Sequence, residues 1–247
     1  MDLLSSRIVV TGGGSGLGLG IAEALSVRGA CPIIIDRNPE AIQRAKKQLD
    51  CPAYLADLTM PGEVAAVVDA ICAEGIPQGL INNAGIIRNG TLLNLFNQNE
   101  LFHSLDLWDE VIHFNLTSVF LMTRELASRM VRARVRGVIV SMSSISARGN
   151  AGQSAYAASK AGVEALTRSW AKELGPLGLR FVAVAPGFID TPSTRAALSV
   201  EILEELKQKT PLRRLGEVAN VALAVIYALE NDLLTGTVLD VDGGLTI

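Results

Sequence analysis

The chain is poor in cysteine, in aromatics and in charge of either sign. Its three cysteines, Cys31, Cys51 and Cys72, are odd in number and widely spaced, with no CxxC pair and no histidine nearby. That pattern gives neither a disulfide framework nor a zinc ligand set, so no metal is expected and the thiols should be small buried hydrophobes. Lys and Arg number 22 against 25 Asp and Glu, for a formal charge of -3. The basic footprint of a nucleic-acid-binding domain is therefore missing. No run approaches the ~18 apolar residues of a membrane span. The start, Met1-Asp2-Leu3-Leu4-Ser5-Ser6-Arg7, has no basic stretch ahead of an apolar one. These absences argue against nucleic-acid and membrane partners and point to a cytoplasmic address.

What is present is a large apolar fraction: 49% hydrophobic and 19% charged residues, with mean hydropathy +0.34. Such a chain folds around a substantial core. Short β-branched runs at 7–11, 32–36, 52–55, 79–82, 137–141, 180–185 and 238–241 alternate with segments of helical period. The helices are predicted at 16–28, 39–49, 61–73, 107–133, 155–174, 200–209 and 217–229. Alternation of this kind predicts an α/β fold, a single doubly wound Rossmann domain over 1–247, with a parallel sheet of about seven strands and helices on both faces. No linker, repeat or low-complexity tract interrupts it. In such a sheet a ligand lies beyond the carboxyl ends of the strands, so the residues that follow each strand are the ones to inspect.

After the first strand comes Thr11-Gly12-Gly13-Gly14-Ser15-Gly16-Leu17-Gly18-Leu19-Gly20, which runs straight into an apolar helix. Glycine weakens helices, so this cluster implies a tight bend that something approaches closely, and at a helix N-terminus that is usually phosphate. The generic GxGxxG spacing fails in every register, whereas TGxxxGxG fits at Thr11, Gly12, Gly16 and Gly18. A purely structural turn is the competing explanation. The second strand ends in Asp36, 20 residues after Gly16, about where a dinucleotide site places the acid that takes the adenine-ribose hydroxyls. A carboxylate there favours NAD(H) and repels the extra phosphate of NADP(H). Arg37 offsets that repulsion in part and keeps NADP(H) as the alternative.

Tyr156-Ala157-Ala158-Ser159-Lys160 sets a phenol and an ammonium four residues apart, on one helix face. A nearby cation favours the phenolate, which would let Tyr156 serve as general acid or base. Alone, YxxxK is equally a surface tyrosine and a solvated lysine. Ser143 lies thirteen residues before Tyr156, just past a strand. Its hydroxyl is expected to steady the substrate oxygen, and neighbouring Ser144 to be the turn residue.

Taken together and in order, TGGGSGLG, Asp57-Leu58, Asn82-Asn83-Ala84-Gly85, Asn115-Leu116-Thr117-Ser118, Ser143, YAASK, Pro186-Gly187-Phe188-Ile189-Asp190-Thr191 and Val241-Asp242-Gly243-Gly244 make the chain resemble the short-chain dehydrogenases/reductases over essentially its whole length. The resemblance implies a catalytic set of Asn115, Ser143, Tyr156 and Lys160, with Asn115 holding a water that links Lys160 to solvent. It also implies a cofactor site drawn from Gly12, Ser15, Gly16, Leu17, Gly18, Asp36, Arg37, Asp57, Leu58, Asn83, Ala84, Gly85, Tyr156, Lys160, Pro186, Gly187, Ile189 and Thr191. Within it Asp57 contacts adenine, Asn83 packs by the adenine ribose, Ile189 and Thr191 seat the carboxamide, and Lys160 holds the nicotinamide ribose. The implied partner is a small alcohol, ketone or acyl thioester, and the implied assembly is a homotetramer through the two long helices.

Similarity to β-ketoacyl carrier-protein reductases (AGQSAYAASKAG, APGFIDT) and to hydroxyacyl-CoA dehydrogenases suggests a 3-hydroxyacyl or 3-oxoacyl thioester. An NADPH-dependent 3-oxoacyl carrier-protein reductase and a non-catalytic dinucleotide sensor are the alternatives. Arg129, Arg132, Arg134 and Arg136 form a basic cluster suited to a thioester's phosphates or, more readily, to solvent or a subunit contact. The segment 88–107 is long and apolar (Leu92, Leu93, Leu95, Phe96, Leu101, Phe102), consistent with a functional loop or an interface, and 192–210 is the expected substrate lid.

Overall fold

The computed structural model describes residues 1–95 and 101–246. Seven strands form one parallel sheet in the order β3-β2-β1-β4-β5-β6-β7. They are β1 (Arg7–Thr11), β2 (Cys31–Asp36), β3 (Ala53–Leu55), β4 (Gly79–Asn82), β5 (Gly137–Met142), β6 (Leu179–Pro186) and β7 (Thr237–Val241). The helices are α1 (Gly16–Val27), α2 (Pro39–Leu49), α3 (Pro61–Ala73), α4 (Leu105–Ile112), α5 (Ser118–Arg132), α6 (Ser154–Leu174), α7 (Pro192–Ala197), α8 (Val200–Lys209) and α9 (Val218–Glu230). This is the doubly wound Rossmann architecture that the alternation predicts.

Side chains alternate across a strand, so each strand feeds two cores. Ile8 and Val10 of β1 join Ile34, Ile81, Val140 and Val184 under α1 and α9, through Ile21, Leu25, Val221 and Val225. Val9 joins Ile33, Leu80, Ile139 and Phe181 under α3 and α5, through Val64, Val68, Met122 and Leu126. Both faces are covered, which is why these strands read as unbroken apolar runs. Each fully buried Ile or Leu contributes roughly 1.5–3 kcal/mol by leaving water. Local signals set the ends: Asn38 caps α2 by accepting from Glu40 N at 2.8 Å and Ala41 N at 3.2 Å, with Pro39 in the first turn.

One expectation needs correction. The cysteines are not buried: Cys31 is exposed at the start of β2, and Cys51 and Cys72 are half-buried. Cys31 sits at a strand end, where the side chain escapes the helix layer. The helix expected at 107–133 is present, with α4 running into α5 through a π turn, His113–Thr117. The proposed lid starts with a helix, α7, too short to show helical period in the sequence.

Strand order reverses between β1 and β4, which opens a crevice past their carboxyl ends. The turns after β1 and β4 are laced together there. Thr11 Oγ1 accepts from Asn83 N at 3.0 Å and Ala84 N at 3.1 Å, and Asn83 Nδ2 donates to Thr11 O at 3.0 Å and Gly12 O at 3.2 Å.

Candidate active site

One cavity of about 480 Å³ fills that crevice, from the glycine turn and Asp36 at one end to Tyr156 and Lys160 at the other. Gly12 and Gly16 both hold positive φ, +61 and +52, which makes the turn tight. A Cβ on Gly18 would lie 2.2 Å from Gly12 O and 2.5 Å from Asn83 Nδ2, so α1 can rest on the turn only if that position is bare. At Gly16 a Cβ would meet nothing within 4 Å. Ser15 makes no side-chain cap on α1 and the first turn of α1 carries no acid. The positive end of this helix thus has no protein anion of its own in that turn.

Asp36 is half-buried on the cavity wall. Its Oδ2 accepts from Gly14 N at 3.0 Å and its Oδ1 from Asn38 N at 3.0 Å. One bond per oxygen fixes the carboxylate and leaves lone pairs on each. Arg37 does not pair with it: the guanidinium stacks 4.3 Å above the ring of Phe114. Leu58, Ala84 and Gly85 line the cavity as well. Asp57 does not. Its Oδ1 is turned to Thr59, accepting from the amide at 2.9 Å and the hydroxyl at 2.7 Å ahead of α3.

At the other end, Tyr156 and Lys160 are buried on α6, with Lys160 Nζ 5.7 Å from the Tyr156 ring centre and donating to Met142 O at 2.7 Å. Burial pushes the Tyr156 phenol above its ordinary pKa of 10, and a hydrogen bond with Ser144 acts in the opposite sense. The same desolvation lowers Lys160 from 10.5 to about 8.

Asn115 sits in the π turn, a geometry that recurs at functional sites. The widened turn aims its amide at Ile86: Oδ1 accepts from Ile86 N and Nδ2 donates to Ile86 O, both at 2.8 Å. Asn115 stands behind the cavity wall rather than on it. A Cβ on Gly85 would fall 2.9 Å from Asn115 Oδ1 and 3.7 Å from Lys160 Nζ, so glycine keeps this space open.

The two serines have different partners. Ser143 lines the cavity, and its Oγ donates to Glu164 Oε1 at 3.0 Å and to Lys160 O at 3.4 Å. Ser144 hydrogen-bonds Tyr156, while its Oγ also accepts from Ser146 N at 3.1 Å. Ser144 has extended backbone (φ -166, ψ 155), and successive residues in extended chain point to opposite sides.

Pro186, Gly187, Ile189 and Thr191 complete the wall after β6. Thr191 also caps α7, its Oγ1 accepting from Thr194 N at 3.1 Å. Ile86, Phe114, Ser146, Gln153 and Thr194 line the cavity too and were not singled out from sequence. Their signal was only proximity to motif residues. The basic cluster is not free as a unit, because Arg129 bonds Asp69 at 2.6 Å and also pairs with Glu125. In the 88–107 segment Leu93 pairs with Phe102 in an antiparallel bridge, and Leu92, Leu95 and Phe102 are exposed. Phe96 lies outside the described residues.

The chain is similar to proteins of known family. The family model described as enoyl-(acyl carrier protein) reductase matches residues 12–246. The 3-oxoacyl-(acyl-carrier-protein) reductase FabG of Thermotoga maritima is 35% identical over 256 residues, covering 100% of both chains. The (3R)-3-hydroxyacyl-CoA dehydrogenase of Homo sapiens is 34% identical over 260 residues, covering 98% of this chain and 96% of its own. A crystal structure described as ribose-5-phosphate isomerase from Brucella melitensis superposes with a TM-score of 0.87 at 31% identity, covering 97% of this chain and 92% of that one. The isomerase description belongs to that protein, since a shared fold does not fix chemistry. The chain belongs to the short-chain dehydrogenase/reductase family of NAD(P)-dependent oxidoreductases.

Proposed function

We propose that this protein interconverts the secondary alcohol and ketone of a 3-hydroxyacyl/3-oxoacyl thioester, with NAD(H) as the preferred dinucleotide. The observation that carries the chemistry is the buried Tyr156 phenol in the cavity, with Lys160 Nζ 5.7 Å from its ring and Ser144 on the same wall. The named substrates of the relatives, 3-oxoacyl and 3-hydroxyacyl groups, support the substrate class.

The cleft fits a dinucleotide. The uncapped start of α1 and the open side of Gly16 suit a pyrophosphate. Asp36 keeps lone pairs for a ribose diol, and Leu58 with Ala84 offers an apolar seat for a base. When bound, the nicotinamide gives or takes the hydride. Tyr156, protonated at neutral pH, donates its hydroxyl proton to the substrate oxygen in reduction and recovers it in oxidation. Ser144 hydrogen-bonds the same oxygen and holds it against Tyr156. Lys160 supplies positive charge beneath the phenol, and Asn115, through Ile86, fixes the wall opposite. In place of Ser143, Ser144 takes the substrate role: Ser144→Ala is expected to lower kcat about 10–100-fold, and Ser143→Ala to leave kcat within about threefold. The reverse ranking in steady-state kinetics overturns this assignment.

The NAD(H) preference rests on Asp36, whose charge opposes a 2′-phosphate while Arg37 is engaged by Phe114. Initial rates of acetoacetyl-CoA reduction with NADH and NADPH in parallel test both parts of the reading. NADH-linked turnover is expected, and Asp36→Ala should raise the NADPH/NADH ratio of kcat/KM by about tenfold or more. A wild type that prefers NADPH defeats the cofactor reading, and no turnover with either defeats the substrate class. Self-association through α5 and α6 belongs to the same reading, supported by the exposed Phe120 beside the half-buried Trp170.

A further inference from the structure

Gln153 is the N-cap of α6 and lies on the cavity wall with Ser144, Ser146 and Tyr156. Its amide is held from three directions. Ser146 Oγ donates to Oε1 at 3.0 Å, Asn150 Nδ2 donates to the same oxygen at 3.1 Å, and Nε2 donates to Asn89 Oδ1 at 3.0 Å. The backbone around it is pinned as well: Gly90 bridges to Gln153, and Gly90 N donates to Gly152 O at 2.8 Å.

A primary amide offers two acceptor positions and two N–H donors. Both acceptor positions of Gln153 and one donor are taken, which leaves a single Nε2 hydrogen on a side chain whose rotamer freedom has already been given up. Gln153 precedes Tyr156 by three residues, so both stand on one face of the first turn of α6.

Resting on the thioester reading above, we infer that the remaining Nε2–H of Gln153 donates to the thioester carbonyl oxygen of the substrate and makes Gln153 a specificity-determining residue. In a 3-oxoacyl thioester the two carbonyls flank one methylene, so a donor one helical turn from the proton donor suits the second oxygen. A simple ketone has nothing to place there. A site built around a preorganised donor rejects an analogue that lacks the acceptor, because the donor is left unpaired.

The test compares acetoacetyl-CoA with S-(3-oxobutyl)-CoA, the thioether formed by adding CoA to methyl vinyl ketone. It keeps the ketone, the chain length and the CoA, and lacks only the thioester carbonyl. Wild type, Gln153→Glu and Gln153→Met are assayed on both, with thermal melts as folding controls. Gln153→Glu keeps the acceptor used by Ser146 and Asn150 while removing the donor, and Gln153→Met removes the donor without adding charge. Both variants are expected to lose about tenfold or more in kcat/KM on acetoacetyl-CoA and to stay within about threefold of wild type on the thioether. An equal loss on both substrates overturns the inference and leaves Gln153 a staple of the 146–153 loop. Unchanged rates on both overturn it as well. A wild type that reduces neither compound defeats the thioester reading itself, an outcome visible before any variant is made.

Discussion

Replacing Tyr156 with phenylalanine lowers kcat for ketone reduction by about 10²–10⁴-fold, the range of a positioned proton donor, while dinucleotide affinity is retained. The substitution is nearly isosteric in a packed site: Tyr156 is 9% exposed and packs with Val111 and Ala155, so the ring stays where it is. What is lost is the hydroxyl and its bond to Ser144, whose Oγ still accepts from Ser146 N. Burial holds the phenol protonated at neutral pH. The wild-type enzyme should therefore reduce readily near pH 7, while oxidation, which needs the phenolate, should rise with pH. Steady-state rates and dinucleotide titrations of Tyr156→Phe decide the matter. Turnover at the wild-type rate would mean that Tyr156 is not the acid, and binding without turnover even in wild type would favour a dinucleotide sensor.

Lys160→Met is expected to abolish most activity and yet stabilise the cofactor-free protein. Lys160 is buried on the cavity wall, and desolvation lowers its pKa from 10.5 to about 8. Below about pH 8 the lysine is charged in both folded and unfolded chains, so folding carries the whole desolvation cost. Between about 8 and 10.5 the unfolded chain binds the extra proton, and stability rises with pH. A displacement of that size corresponds to a cost on the order of 3 kcal/mol at neutral pH, reduced in the variant by the lost bond to Met142 O. Urea unfolding of both proteins from pH 7 to 10 is the measurement, since titrations common to the two proteins cancel in their difference. The variant should be the more stable at pH 7, with the gap closing toward pH 10. A gap that does not change with pH would show that Lys160 is not a buried charge.

Much of the fold was legible because its determinants are local. The helices at 39–49 and 61–73 match the structure at both ends, since Asn38-Pro39 and Met60-Pro61 mark starts that need no tertiary contact. The alternation of β-branched runs with helical periods carried the parallel sheet. The π turn at His113–Thr117 was not legible, because one extra residue per turn leaves the apolar pattern of 107–133 almost unchanged. Burial of the cysteines was misjudged for a related reason: composition says what a thiol prefers, whereas position at the edge of β2 decides what it gets.

At the site, the sequence alone determined which segments meet. The glycine turn, Asp36, Asn83 and the YxxxK helix each follow or adjoin a strand end, and a parallel sheet gathers such ends on one side. Spacing also put Tyr156 and Lys160 on one helix face. Only the tertiary structure decided where each polar group points. Asp57 turns to Thr59 and away from the cavity, Asn115 spends its amide on Ile86, and Arg37 lies over Phe114. The choice between Ser143 and Ser144 is the sharpest case. Consecutive side chains on extended backbone face opposite ways, so an offset of one residue exchanges Glu164 for Tyr156 as the partner. Counting residues back from Tyr156 cannot resolve it, because the path of the intervening turn sets the register.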